Sequence, residues 1–272
     1  MDDLAAFARL LDALRPWLGH VVVIGGWAHR LHRFHPLSQP PTYAALRTRD
    51  VDVAFSLSAP LAGDIAAAMK AAGFHQAFSG EHTPPITQYR LGADDQGFFA
   101  EFLTPLHGDG LKRTGEPDVT AAKAGVTAQK LRHLGLLLVS PWTVRLSQDV
   151  GVPVHAPVDV MVPNPVSFIA QKLLIQKHRN SEKKAQDTLY IHDTFELFGG
   201  ELPRLRTLWQ QDVRPTLPAT TARTVERLQR EQFAVVTDVI RNAARIPQDR
   251  TFTPDRMRAV CAYGLEELLG PR

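Results

Sequence analysis

The stretch from Val21 to Phe55 constrains this chain more than any other. It opens with an apolar run, Val21-Val22-Val23-Ile24, that meets Gly25-Gly26 and continues as Trp27-Ala28-His29-Arg30-Leu31. An apolar run ending on two glycines reads as a buried strand feeding the N-terminus of a helix. After a Pro-rich loop the stretch closes with Thr48-Arg49-Asp50-Val51-Asp52-Val53-Ala54-Phe55, a second strand. Side chains of a strand alternate between faces, so Asp50 and Asp52 project together. A glycine turn at a helix start offers backbone N–H groups to phosphate. Two carboxylates on one strand face hold Mg²⁺, which takes one or two carboxylates and completes its shell with substrate phosphates. The pattern describes a site for a nucleoside triphosphate and its metal ions.

A Gly-Gly opening a helix, with Asp-x-Asp on the next strand, resembles the signature of the DNA polymerase β-like nucleotidyltransferase superfamily. The form here, Gly25-Gly26-Trp27-Ala28-His29-Arg30-Leu31 with Thr48-Arg49-Asp50-Val51-Asp52-Val53, resembles its minimal bacterial branch, which includes the nucleotidyltransferase toxins of type IV toxin–antitoxin systems. The resemblance implies an α+β nucleotidyltransferase fold, a mixed β-sheet with helices on it, followed by a C-terminal helical region. It implies two Mg²⁺ ions, or Mn²⁺ in their place, and NTP as co-substrate. The superfamily often has Gly-Ser where this chain has Gly26-Trp27. The missing hydroxyl leaves phosphate binding to the amides of Gly25 and Gly26.

Elsewhere the reading follows periodicity. Phe7, Leu10, Leu11, Leu14, Trp17 and Leu18 recur at helical spacing and predict an amphipathic helix ending near Gly19. His29 and His32 are three residues apart, a spacing that a metal can bridge; with no carboxylate or thiol to help, exposed or hydrogen-bonded histidines are the better reading. Leu61–Ala72 reads as a helix lying across the sheet and stopped by Gly73. Thr87–Leu91 and Phe98–Leu103 read as strands joined by a hairpin through residues 92–97. Within the second, Glu101 lies between phenylalanines, a poor core choice unless paired or bound to metal. The resembled family draws its third metal-binding carboxylate from such a strand, which makes Glu101 the candidate; a solvent-facing edge is the alternative. From Leu106 to Arg132 the glycines suggest a surface excursion. Leu136–Val139, Thr143–Leu146 and Val154–Val162 read as further strands.

Pro163-Asn164-Pro165 marks a boundary, dividing a nucleotidyltransferase domain (1–164) from a helical domain (165–272). Asn164 is placed to cap the next helix, with Pro165 in its first turn. That helix, to about His178, carries Lys172 within an apolar arc of Phe168, Ile169, Leu173 and Ile175. The following one, about Lys184 to Phe198, carries Asp187 on the stripe of Ile191, Phe195 and Phe198. A charge on each of two neighbouring apolar stripes is costly unless the two meet each other or a charged ligand. In the resembled family a lysine and a downstream Lys/Arg-Asp helix complete the active site, contributed here by Lys172 and Asp187; Gln186 stands where a basic residue commonly precedes the aspartate. Lys177, His178, Arg179, Lys183 and Lys184 form a basic run fit for an RNA acceptor or for plain solvation. Beyond, one long helix through Val225–Ile240 and a final one, capped by Thr253 and stopped by Gly270, complete the chain.

Function follows as an expectation. Asp50, Asp52 and Glu101 are assigned to metal, Glu101 also to deprotonating the acceptor, Gly25 and Gly26 to phosphate, Lys172 to triphosphate charge, and Asp187 to orienting Lys172. The resemblance implies NMP transfer to a macromolecule, tRNA or protein, and leaves open a toxin role with a cognate antitoxin. Two alternatives stand beside it, a small-molecule adenylyltransferase of the antibiotic-modifying kind and a non-catalytic nucleotide- or partner-binding protein. The net charge of +3 suits an anionic substrate without marking a nucleic-acid-coating protein. The single cysteine, Cys261, excludes an intrachain disulfide and a Cys-based zinc site and suits a cytoplasmic location. Arg9, Asp12 and Arg15 interrupt the first apolar segment, so no membrane partner is expected.

Overall fold

The computed structural model describes residues 2–79, 84–92 and 97–270. The chain divides into two compact units, Met1–His35 with Arg47–Pro163, and Pro36–Leu46 with Asn164–Arg272. The segment 36–46 therefore belongs with the helical part, although it precedes the division expected at residue 164.

The first unit runs α1 (Asp3–Leu14), β1 (Val22–Ile24), α2 (Gly25–Leu31), β2 (Asp50–Ala54), α3 (Ile65–Ala71), β3 (Phe74–Ser79), β4 (Ile86–Leu91), β5 (Phe98–Pro105), β6 (Thr120–Lys123), β7 (Val126–Leu131), β8 (Trp142–Leu146) and β9 (Val158–Val162). The nine strands form one mixed sheet in the order β3-β4-β5-β2-β1-β9-β8, with β7 pairing the end of β5 and β6 pairing β7. β2 is antiparallel to β1 and parallel to β5. On one face Val51, Val53, Ala100 and Phe102 are buried. This side holds the main aromatic packing: Phe7 of α1 stacks on Trp27 at 4.1 Å between ring centroids, and Trp27 meets Phe98 edge-on. Each such ring removes roughly 2–3 kcal/mol worth of apolar surface from water.

Parts of this unit depart from expectation. β3 lies in a stretch with no strand reading. The excursion expected over 106–132 contains the β6–β7 hairpin, whose two-residue turn places Ala124 at φ 47° and Gly125 at φ 79°, the signs that a twisted hairpin needs. Leu136–Val139, expected as a strand, is a 3₁₀ turn over Leu134–Leu138 entered through His133 in the left-handed region. Its Leu134 and Leu137 pack on Val22, Ile24, Ala54 and Leu103, so this run covers a sheet face instead of joining the sheet. The pairing of β4 with β5 is antiparallel as a hairpin requires, while residues 93–96 of its expected turn lie outside the described residues.

The second unit is helical: α4 (Pro165–Ile175), α5 (Ser181–Phe198), α6 (Leu202–Leu208), α7 (Ala219–Gln232), α8 (Asp238–Ala244) and α9 (Pro254–Leu269). Asn164 caps α4 by accepting the Ser167 N–H at 2.8 Å, and Thr253 caps α9. The single long helix expected through Val225–Ile240 is two: α7 ends at buried Phe233, and Thr237 caps α8. Segment 36–46 is tied in by Gln39 N–H donating to the Leu197 carbonyl and Ala44 N–H to Asp249, with the Arg250 guanidinium 3.4 Å above the Tyr43 ring.

Candidate active site

The register of β2 on β5 builds the site. Asp52 is the Cα partner of Glu101 in this parallel pair, so the two side chains leave the sheet on the same side from strands roughly 4.8 Å apart. Asp50, two residues earlier, joins them. All three are half-buried. On the other flank Asp52 is registered with Ile24 of β1, part of the apolar cluster under Leu134 and Leu137. The carboxylates thus begin where that cluster ends, with greasy cover at one end of the face and charge at the other. Gly25 closes the group: it has φ +67°, and a Cβ there would stand 2.5 Å from Asp52 Oδ2. The carboxylate lies against the turn so closely that only glycine fits both the backbone and the space.

Asp50 and Glu101 each have a neighbouring side-chain donor. The Thr48 hydroxyl donates to Asp50 Oδ1. Gln88 of β4, registered opposite Glu101, donates its amide N–H to Glu101 Oε1 at 2.5 Å. Arg90 in turn donates to Gln88 Oε1 through Nη2 at 2.8 Å and Nε at 3.2 Å.

In the second unit Lys172 of α4 and Asp187 of α5 form an ion pair of 2.7 Å, their side chains 6% and 4% exposed. Arg179 Nε is 3.4 Å from the other oxygen of Asp187. The ammonium lies 5.3 Å from the Phe168 and the Tyr190 ring centroids, where aromatic faces supplement the carboxylate in stabilising a desolvated cation. Gln186 donates to the Tyr190 hydroxyl at 3.2 Å and accepts from Lys183. Lys177, His178, Arg179 and Lys183 are exposed.

Comparison with known families decides the class, because the nucleotidyltransferase family model matches residues 2–214. The chain belongs to the nucleotidyltransferase family. It is therefore an enzyme of nucleotidyl transfer, and Asp50, Asp52, Glu101, Lys172 and Asp187 all fall within the matched span. The match singles out no toxin branch. Curated proteins and solved structures give no match.

The nucleotidyltransferase has no helix, among its described residues, long and apolar enough to cross a membrane. Among those residues no group of three or more His, Cys, Asp or Glu side chains is gathered so as to hold a metal ion by itself. Hard oxygen donors lined up on an open strand face still fit Mg²⁺, which binds through one or two carboxylates and takes its remaining oxygens from water and phosphate. His29 and His32 are buried, which removes the exposed reading and leaves the hydrogen-bonded one for His32. His32 Nε2 donates to the Pro163 carbonyl at 2.8 Å, and burial pulls its pKa down from 6.5 to about 4. Gln88, Arg90 and Thr48 escaped the sequence reading. The only signal for Gln88 and Arg90 was polar residues at alternate positions of a strand, and nothing but the register shows that they share Glu101's side.

Proposed function

We propose that this nucleotidyltransferase moves NMP from an NTP to a hydroxyl or phosphate on a macromolecule, tRNA or protein, using two divalent ions held by Asp50, Asp52 and Glu101. The observation that carries the reading is the Asp52–Glu101 register, with Asp50 on the same side and the Gly25 turn pressed against Asp52. Divalent ions, when bound, supply charge relief at the attacking and leaving oxygens of an in-line displacement. The acceptor oxygen attacks the α-phosphorus, the bond to the bridging oxygen breaks, and pyrophosphate leaves with the electron pair. Glu101 takes the proton of an acceptor hydroxyl in this reading. Gly25 and Gly26 offer backbone N–H groups to the outer phosphates. Lys172 is the residue assigned to triphosphate charge, with Asp187 orienting it.

A macromolecular acceptor is favoured by the exposed basic run from Lys177 to Lys183, which suits a phosphate backbone or an acidic protein surface. Incubating the enzyme and Mg²⁺ with each α-labelled NTP and cell extract tests this. Label sensitive to ribonuclease or protease is expected. Label confined to small molecules would overturn the acceptor class, and no transferred label with any NTP would overturn the transfer itself.

A further inference from the structure

We infer that Gln88, clamped by Arg90, is the positioning residue for the Glu101 carboxylate, and thereby sets how firmly the acidic site holds divalent ions. This rests on the role proposed above for Glu101. The three side chains form a directed chain across β4 and β5. Arg90 gives two N–H groups to one oxygen, Gln88 Oε1, so the carbonyl end of that amide is held toward the guanidinium. The N–H end then faces Glu101, to which it donates at 2.5 Å. The reverse amide orientation would set donors against donors at Arg90 and an acceptor against the carboxylate at Glu101. The arrangement therefore admits one orientation.

All three residues are half-buried, where such bonds are stronger than in water. A glutamate has three rotatable side-chain bonds, and a donor on Oε1 fixes the plane of its carboxylate. The other oxygen is then left for an ion beside Asp52, its register partner. Partners of this kind, which touch a ligand and not the metal, alter metal affinity or activity by about 10- to 100-fold when removed.

The test uses the full-length enzyme with Mn²⁺ as the probe, its binding followed by the loss of the free-ion paramagnetic resonance signal. Transfer from a mixture of NTPs into cell extract and a thermal melt are measured alongside. Gln88→Leu keeps much of the volume and removes the donor. It is expected to weaken Mn²⁺ binding and slow turnover by about 10-fold or more, with the KM for NTP and the melting temperature little changed. Arg90→Ala should give a smaller loss of the same kind, and the double variant should be no worse than Gln88→Leu alone, since both act through one bond. Wild-type Mn²⁺ affinity and turnover in Gln88→Leu, whatever its melting temperature, would overturn the inference, as would losses that simply add in the double variant. Glu101→Gln separates the two levels. If it binds Mn²⁺ and turns over normally, the assignment of Glu101 fails; if it is silent while Gln88→Leu is normal, only the positioning role fails.

Discussion

Lys172 and Asp187 illustrate what burial demands of a charge. An ammonium that is 6% exposed and a carboxylate that is 4% exposed each lose hydration that their mutual contact offsets. Lys172→Met keeps the stem and strands Asp187, whose second oxygen has Arg179 at 3.4 Å. It should cost about 3 kcal/mol, the lower end of the range for breaking a buried pair. Adding Asp187→Leu removes the stranded charge and should return most of that stability. Transfer activity then separates the two roles. If Lys172 serves the triphosphate, the double variant melts near the wild-type temperature and still fails to use NTP. If the pair only clamps α4 to α5, the double variant turns over normally. Melts and transfer assays on the same two proteins decide it.

At the scale of elements, the turn after α2 is joined to the end of β9 by a bond with a defined pH dependence. His32 donates to the Pro163 carbonyl from a fully buried position, and burial, its main perturbation, lowers its pKa to about 4. The unfolded chain takes up a proton near 6.5 and the folded chain resists it until about 4. Stability from this group is therefore complete above pH 6.5, and falls as pH drops toward 4. The loss approaches about 3 kcal/mol, at roughly 1.4 kcal/mol per pKa unit. Comparing denaturation midpoints of wild type and His32→Phe between pH 7 and 4 checks this. The wild type should lose more stability over that range than the variant, and parallel curves would refute it.

The elements also show which signals a sequence carries. β1, β2, β5 and the caps at Asn164 and Thr253 were legible because apolar alternation, glycines and capping residues are local. So was the sharing of a face by Asp50 and Asp52. The β6–β7 hairpin was not, because its turn uses Ala124 at positive φ where Asn or Asp would announce it, and Thr120-Ala121-Ala122-Lys123 has little strand propensity. Leu134–Leu138 is apolar without alternation, a pattern common to a buried strand and a covering turn. The partnership of Gln88 with Glu101 depends on register, a long-range property that no local pattern encodes.

The acidic face belongs to a unit with nine strands among the described residues, the buried Lys172–Asp187 pair belongs to the helical unit, and the family match runs through both as far as residue 214. Helices α7, α8 and α9 lie beyond it. In the proposed reaction this enzyme transfers NMP through the carboxylates of β2. The most direct measurement is transfer of label from α-labelled NTP, with Mg²⁺, by wild type, Asp50→Asn and Asp52→Asn, each beside its thermal melt. Transfer by the wild type and background signal from both variants are expected. Their melting temperatures should be equal or higher, because removing one charge relieves repulsion among Asp50, Asp52 and Glu101. Wild-type transfer by both folded variants would contradict it.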